Sequence, residues 1–350
     1  MTSTQLRIRV DGDIIAARRF TAVTDELAGP AGRPCVVMAH GLGATQDCGL
    51  FAFAETLAGA GAEVVTFDYR HFAESSGQPR QFISLTGQVA DYHAVIDHAR
   101  RLENVDPARI VAWGVSLSGG HAIRVAAEDP HLAGIISLTP ATDGLSVTAH
   151  MLRTLGLRYV MRVMAYGVRD VAAKLRGRPP VLIPVVGAPG EVAGLSAEGA
   201  VEGMHRIAGP TWRNEFAARL VLVMGGHRPI ASAGRVTCPA LVQIGDQDRT
   251  APPAPATAAA TRMRATVHHY PCDHFDVYPG EPWHERVVND QIAFLRRILA
   301  PAESTASRSM RPSAIPYFER RDDLTNEHGG CGRSTRPVVE GVRFRYGGPG

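Results

Sequence analysis

From about residue 33 the chain alternates short apolar runs with longer stretches in which apolar residues recur three and four positions apart. PCVVMAH (34–40), AEVVTFDY (62–69), RIVAWGV (109–115), LAGIISLTP (132–140) and CPALVQIGD (238–246) are rich in β-branched residues and end in turn or polar residues. Such runs predict strands buried on both faces. Between them FAFAETLAGAG (51–61), QVADYHAVIDHARRL (88–102) and GGHAIRVAAED (119–129) carry helical spacing, and VVNDQIAFLRRILA (287–300) reads as a closing helix. This rhythm predicts an α/β fold, a mostly parallel central sheet flanked by helices.

Residues 145–233 break the rhythm. Apolar-basic helical sequence (HMLRTLGLRYVMRVMAYGVRDVAAKLRG) is followed there by the Pro- and Gly-rich PPVLIPVVGAPGEVAG. We read 1–144 and 234–300 as two parts of one core, 145–233 as an inserted, mainly helical cap, and 301–350, which has no sustained apolar period, as a flexible and dispensable tail.

Composition narrows the chemistry. At 350 residues, 45% hydrophobic and 20% charged, the chain is long enough for a full core and reads as a globular enzyme. A net charge of +3, read as spread along the sequence, offers no footprint for nucleic acid or an anionic membrane and favours a small-molecule substrate. No stretch has the apolar length of a membrane span, the N-terminus lacks a leader pattern, and the five cysteines are far apart, so a cytoplasmic protein without disulfides is expected. No Gly-rich phosphate loop or metal-ligand cluster implies a cofactor or metal, and the pattern sets no oligomeric state. Asp91, His93, Asp97 and His98 share one predicted helix and read as a solvated face.

The most informative segment is RIVAWGVSLSGGHAIRVAAED (109–129), a strand, a sharp turn holding Gly114, Ser116 and Gly119, and an amphipathic helix. Here the chain resembles the α/β-hydrolase family, whose nucleophilic serine sits on a strained strand-to-helix elbow with small residues on either side. Ser116 matches the nucleophile. Ser118, standing where glycine is usual, is the rival. VVMAHGLGA (36–44) resembles the loop beside that elbow, so the resemblance implies the backbone N–H groups of Leu42 and Leu117 as the oxyanion hole, with His40 bracing the loop. DYRHFAESSGQPR (68–80) is similar to the family's next loop, with His71 and Ala73 where glycines are usual, and Asp68 and Arg70 read as a structural ion pair.

In LVQIGDQDRTAPP (241–253) Asp248 matches the family's Gly-x-x-Asp acid, with Asp246 and Asp143 as alternatives. In HHYPCDHFDVYPGEPW (268–283) His274 matches the base, and His268 and His269 read as surface or packing residues. Ser116, Asp248 and His274 follow the chain order of this fold, each at the carboxyl end of a predicted strand. The resemblance covers about residues 30–300 and implies a serine hydrolase cleaving an ester or thioester, its cap suggesting an apolar acyl or aromatic group. Dehalogenases and epoxide hydrolases of similar fold carry aspartate at the nucleophile seat. Carbon–carbon hydrolases, peptidases and perhydrolases share the triad, and a non-catalytic binding protein of the same fold is the remaining alternative.

Overall fold

A computed structural model of the chain describes residues 2–300, which fall within one compact unit; the tail expected over 301–350 lies outside the described residues. The elements are β1 (Ser3–Val10), β2 (Asp13–Phe20), β3 (Arg33–Ala39), α1 (Leu50–Gly59), β4 (Glu63–Phe67), α2 (Leu85–Ala99), β5 (Val105–Val115), α3 (Leu117–Glu128) and β6 (Gly134–Leu138). There follow α4 (Gly144–Leu175), β7 (Leu182–Ile183), α5 (Ala200–Ile207), β8 (Phe216–Ala217), several 3-10 turns to Arg235, β9 (Ala240–Gly245), α6 (Pro253–Met263), β10 (Thr266–Tyr270) and α7 (His284–Leu299).

Eight strands form one sheet in the order β1-β2-β4-β3-β5-β6-β9-β10. From β4 to β10 all neighbours are parallel, while β1 and β2 pair antiparallel with each other and β2 with β4. The fold is thus the mostly parallel α/β sheet that the strand pattern predicts, in the α/β-hydrolase form that the resemblance implies. Strands β4, β6 and β9 are buried at every position, which explains why they read as unbroken apolar runs.

Two features differ from the sequence reading. The β1–β2 hairpin adds an antiparallel edge before residue 33, turning at Asp11-Gly12, both with positive φ. That Asp-Gly pair between alternating strands is a hairpin signal in its own right. The second feature is the uneven burial of α2. Asp91 lies on the side shared with Gln88, Tyr92 and Val95 and is buried, so only part of the expected solvated face is solvated.

Between β6 and β9 the long helix α4 bends at Gly156, whose φ of 82° and ψ of 163° are not helical. Its buried side carries Tyr159, Val163, Gly167 and Asp170. Asp170 accepts from the backbone N–H of Val181 (2.9 Å) and Arg219 (2.8 Å), and from the Arg219 guanidinium at 2.7 and 2.8 Å, tying α4 to the turn after β8. Removing one partner of such a buried pair leaves an uncompensated charge. Asp170→Ala is therefore expected to lower unfolding free energy by about 3–5 kcal/mol in urea titration, and an unchanged midpoint and slope would refute the role given to this pair.

Candidate active site

Ser116 stands between the end of β5 and the first turn of α3, with φ 57° and ψ −120°. For a residue with a side chain this is a strained conformation, and the surroundings impose it. Ser116 N–H donates to the Leu138 carbonyl (2.9 Å) and its own carbonyl accepts from Ala141 N–H (2.9 Å). Gly114 is required because a Cβ there would lie 2.0 Å from the Ser118 carbonyl oxygen. Strand and helix approach each other too closely for anything larger.

Ser116 Oγ donates to His274 Nε2 at 3.1 Å, and His274 Nδ1 donates to Asp248 Oδ2 at 2.7 Å. The three residues, 158 and 26 positions apart in pairs, meet because β5, β9 and β10 are parallel and their carboxyl ends lie at one edge of the sheet. All three are buried. The second oxygen of Asp248 accepts from the backbone N–H groups of Thr250 (2.8 Å) and Ala251 (2.6 Å), which fixes the carboxylate. Burial disfavours the His274 imidazolium, but the Asp248 carboxylate, its hydrogen bond and the nearby Asp273 charge together outweigh burial, so the pKa lies above the ordinary histidine value.

The rivals are engaged elsewhere. Ser118 is fully buried, its hydroxyl donating to the His40 carbonyl and accepting from Tyr69 OH at 2.7 Å. Asp246 is exposed and bonded to His269 Nδ1 (2.6 Å). Asp143 accepts from Arg228 (2.9 Å) and Ser146 (2.9 Å) at the start of α4. His268 bonds Asp290 at 3.0 Å.

The loop after β3 runs directly past the serine. A Cβ at Gly41 would lie 3.1 Å from Ser116 Cβ, and Leu42 and Leu117 both line the cavity above Ser116. His40 Nδ1 donates to the Gly41 carbonyl (3.0 Å), its ring packs edge-on against Tyr69, and burial lowers its pKa to about 4. It stays neutral and braces the loop.

Asp68 and Arg70 do not pair with each other. The chain turns after Tyr69 and sends them apart: Asp68 accepts from Gln46 N–H (2.7 Å) and the Gln46 amide (2.8 Å), while Arg70 pairs with buried Asp91 at 2.6 Å. Burial lifts the Asp68 carboxyl to about 7. His71 and Ala73 hold φ of 78° and 41°, so the left-handed turns that glycine usually supplies are kept without glycine.

A cavity of about 80 Å3 rises from Ser116. Its walls come from α4 (Val147, Met151, Val160, Met164) and from Phe216 and Leu220, with no charged side chain among its lining residues. Sequence reasoning gave this wall only as a general apolar character of 145–233. It also missed the clamp outside the site, in which Arg249 donates to Asp273 through its backbone N–H (2.9 Å) and Nε (2.7 Å), joining the neighbours of Asp248 and His274. Both residues adjoin the acid and the base in sequence, but their pairing spans 24 residues.

The profile of the family described as serine aminopeptidase, S33, matches residues 30–285. The chain belongs to this family of α/β hydrolases. The chain is 38% identical over 269 residues to the quorum-quenching protein AidA of Acinetobacter baumannii, covering 76% of this chain and 87% of that one. It is 34% identical over 198 residues to the thiohydrolase aneE of Aspergillus aculeatus, covering 54% and 58%. The solved α/β hydrolase GrgF of Penicillium sp. sh18 superposes with a TM-score of 0.70 at 20% identity, over 86% of this chain and all of that one, a likeness of fold.

Proposed function

We propose that the protein is a serine hydrolase that cleaves an ester or thioester through an acyl-enzyme on Ser116. The observation that carries this reading is the hydrogen-bonded line Ser116–His274–Asp248 at the floor of an apolar cavity. A serine hydroxyl is a poor nucleophile until a neighbouring base takes its proton. His274 takes it as Oγ attacks the carbonyl carbon, then gives it to the leaving alcohol or thiol; a water activated by the same imidazole releases the acid. Asp248 holds the imidazole tautomer and stabilises the imidazolium. The N–H groups of Leu42 and Leu117 receive the oxyanion, each contributing roughly 3 kcal/mol to lowering the barrier.

The segment 145–233 acts as the cap that closes the acyl pocket. Its walls are mostly aliphatic and thioether side chains, with Phe216 as the aromatic member and the hydroxyls of Thr148 and Thr250 beside them, a lining that fits an apolar acyl chain. The lining offers no carboxylate to receive an α-ammonium group, so an amino-terminal peptide fits less well. A relative named a thiohydrolase supports thioesters as well as esters.

The test is a series of p-nitrophenyl esters and acyl thioesters of increasing chain length, with an aminoacyl p-nitroanilide beside them. Each buried methylene is expected to raise kcat/KM by up to about fourfold until the pocket is full, from roughly 0.8 kcal/mol per CH2. A flat profile, or preferential turnover of the aminoacyl anilide, would remove the acyl-chain assignment. Fluorophosphonate labelling that is absent from the intact protein would instead favour a binding protein of the same fold.

A further inference from the structure

The net charge of the chain is +3, but it is not evenly spread. Residues 144–178 hold seven Lys and Arg against one acid, Asp170, which is buried against Arg219. Arg153, Arg158, Arg162, Arg169, Lys174, Arg176 and Arg178 are all exposed. The exposed side of α4 and the residues that follow it are therefore strongly basic.

The same helix also exposes apolar side chains. Leu145, Leu152, Leu157, Met161, Val168 and Leu175 are 45 to 82% exposed and make up six of the ten large exposed apolar side chains among the described residues. Single exposed apolar residues need no explanation, whereas a contiguous row does. A helix turns about 100° per residue, so Leu157, Met161, Val168 and Leu175, spaced four, seven and seven, share a line opposite buried Tyr159, Val163 and Asp170. The line is about 27 Å long at 1.5 Å per residue. Arg158, Arg162 and Arg169, also spaced four and seven, run along one edge of it, and Val160 and Met164, which line the Ser116 cavity, lie along the other.

We propose that the outer face of α4 docks the protein on the surface of an anionic lipid bilayer. The apolar row enters the boundary between headgroups and acyl chains while the arginines meet lipid phosphates. A second copy is the poorer occupant, because two such helices would set arginine rows against each other. Residues 301–350 carry eight arginines against six acids and supply no complementary charge. An anionic bilayer satisfies both the row and its basic edge. Where the hydrolase reading holds, docking sets the wall of the acyl pocket beside the lipid from which an apolar substrate would be drawn; the docking itself does not depend on that reading.

The test is co-sedimentation of the full chain, as wild type and as Ser116→Ala, with phosphatidylcholine vesicles with and without phosphatidylglycerol. Both proteins should pellet with the anionic vesicles at low salt. Raising salt to about 0.5 M, or introducing Arg158→Glu with Arg169→Glu, should lower the partition coefficient at least about tenfold. Leu157→Asn with Met161→Asn should also lower it, and these variants should keep their melting temperature and their hydrolysis of a soluble short-chain ester. Failure to pellet at low salt, equal pelleting with neutral vesicles, or a solution dimer that Leu157→Asn with Met161→Asn dissociates would overturn the proposal. Vesicle binding by a protein whose Ser116→Ala form still hydrolyses esters would sink the hydrolase reading and leave the docking surface standing.

Discussion

Ser116→Ala is expected to lower ester turnover roughly ten-thousand-fold or more, with the fold intact and fluorophosphonate labelling abolished. The strained backbone at residue 116 is held by hydrogen bonds of its own N–H and carbonyl, which alanine keeps, so the loss would be chemical. Ser118→Ala is the matching control. Its hydroxyl donates to the His40 carbonyl beside the loop that carries Leu42 and accepts from Tyr69 OH, and because neither bond reaches Ser116 or His274, losing both should cost turnover no more than about tenfold. Steady-state kinetics on one activated ester separates the two. Normal turnover in Ser116→Ala with a dead Ser118→Ala would transfer the nucleophile to Ser118.

Asp248→Asn should lower kcat roughly a thousandfold or more, because an amide can hold the wrong imidazole tautomer, and His274→Ala should abolish turnover. Asp246→Asn, Asp143→Asn, His268→Ala and His269→Ala should do far less, since none of these side chains touches His274 or Ser116. The pH dependence carries a sign. His274 accepts the serine proton only when neutral, so kcat/KM rises as pH rises through its pKa. Burial pushes that pKa down, but the Asp248 carboxylate with its hydrogen bond, helped by the Asp273 charge, outweighs it, so the rising limb of the wild type should lie above pH 6.5. In Asp248→Asn burial remains and the carboxylate is gone. The residual activity should then rise at lower pH than in the wild type. A limb that stays in place would mean that Asp248 does not set the charge state of His274, and Asp143→Asn would become the variant to measure.

Much of this site was legible in the chain because its parts are local. A strand of β-branched residues ending in Gly114-Val115-Ser116 specifies an elbow, since the glycine is needed within two residues of the serine it serves. The turns at Asp248 and His274 likewise sit at the ends of short apolar runs, and their order along the chain resembles that of a known fold. The β1–β2 hairpin was equally local, with its Asp-Gly turn and alternating residues, and was missed only where the stronger βαβ rhythm drew the reading to residue 33.

Contacts between distant segments were not legible in the same way. That Arg70 pairs with Asp91 and not Asp68, and that Arg249 clamps Asp273, depends on which faces are brought together by loops whose course no local pattern fixes. The same holds for α4. Its sequence alone shows a mixture of leucine, methionine, valine and arginine, and periodicity assigns helix without saying which side is covered. Only packing against Asp170's partners and the cavity turns one row inward and leaves the other, with its arginines, facing out. The sequence by itself determined the sheet's buried strands and the sharp strand-to-helix turn at Gly114–Ser116, because backbone propensity and steric demand act over a few residues; Ser116, Asp248 and His274 were singled out by resemblance to a known family. The tertiary structure decided which charges pair, which apolar row lines the pocket and which remains exposed, because those depend on burial, and burial is a property of surfaces that meet only after the chain has folded.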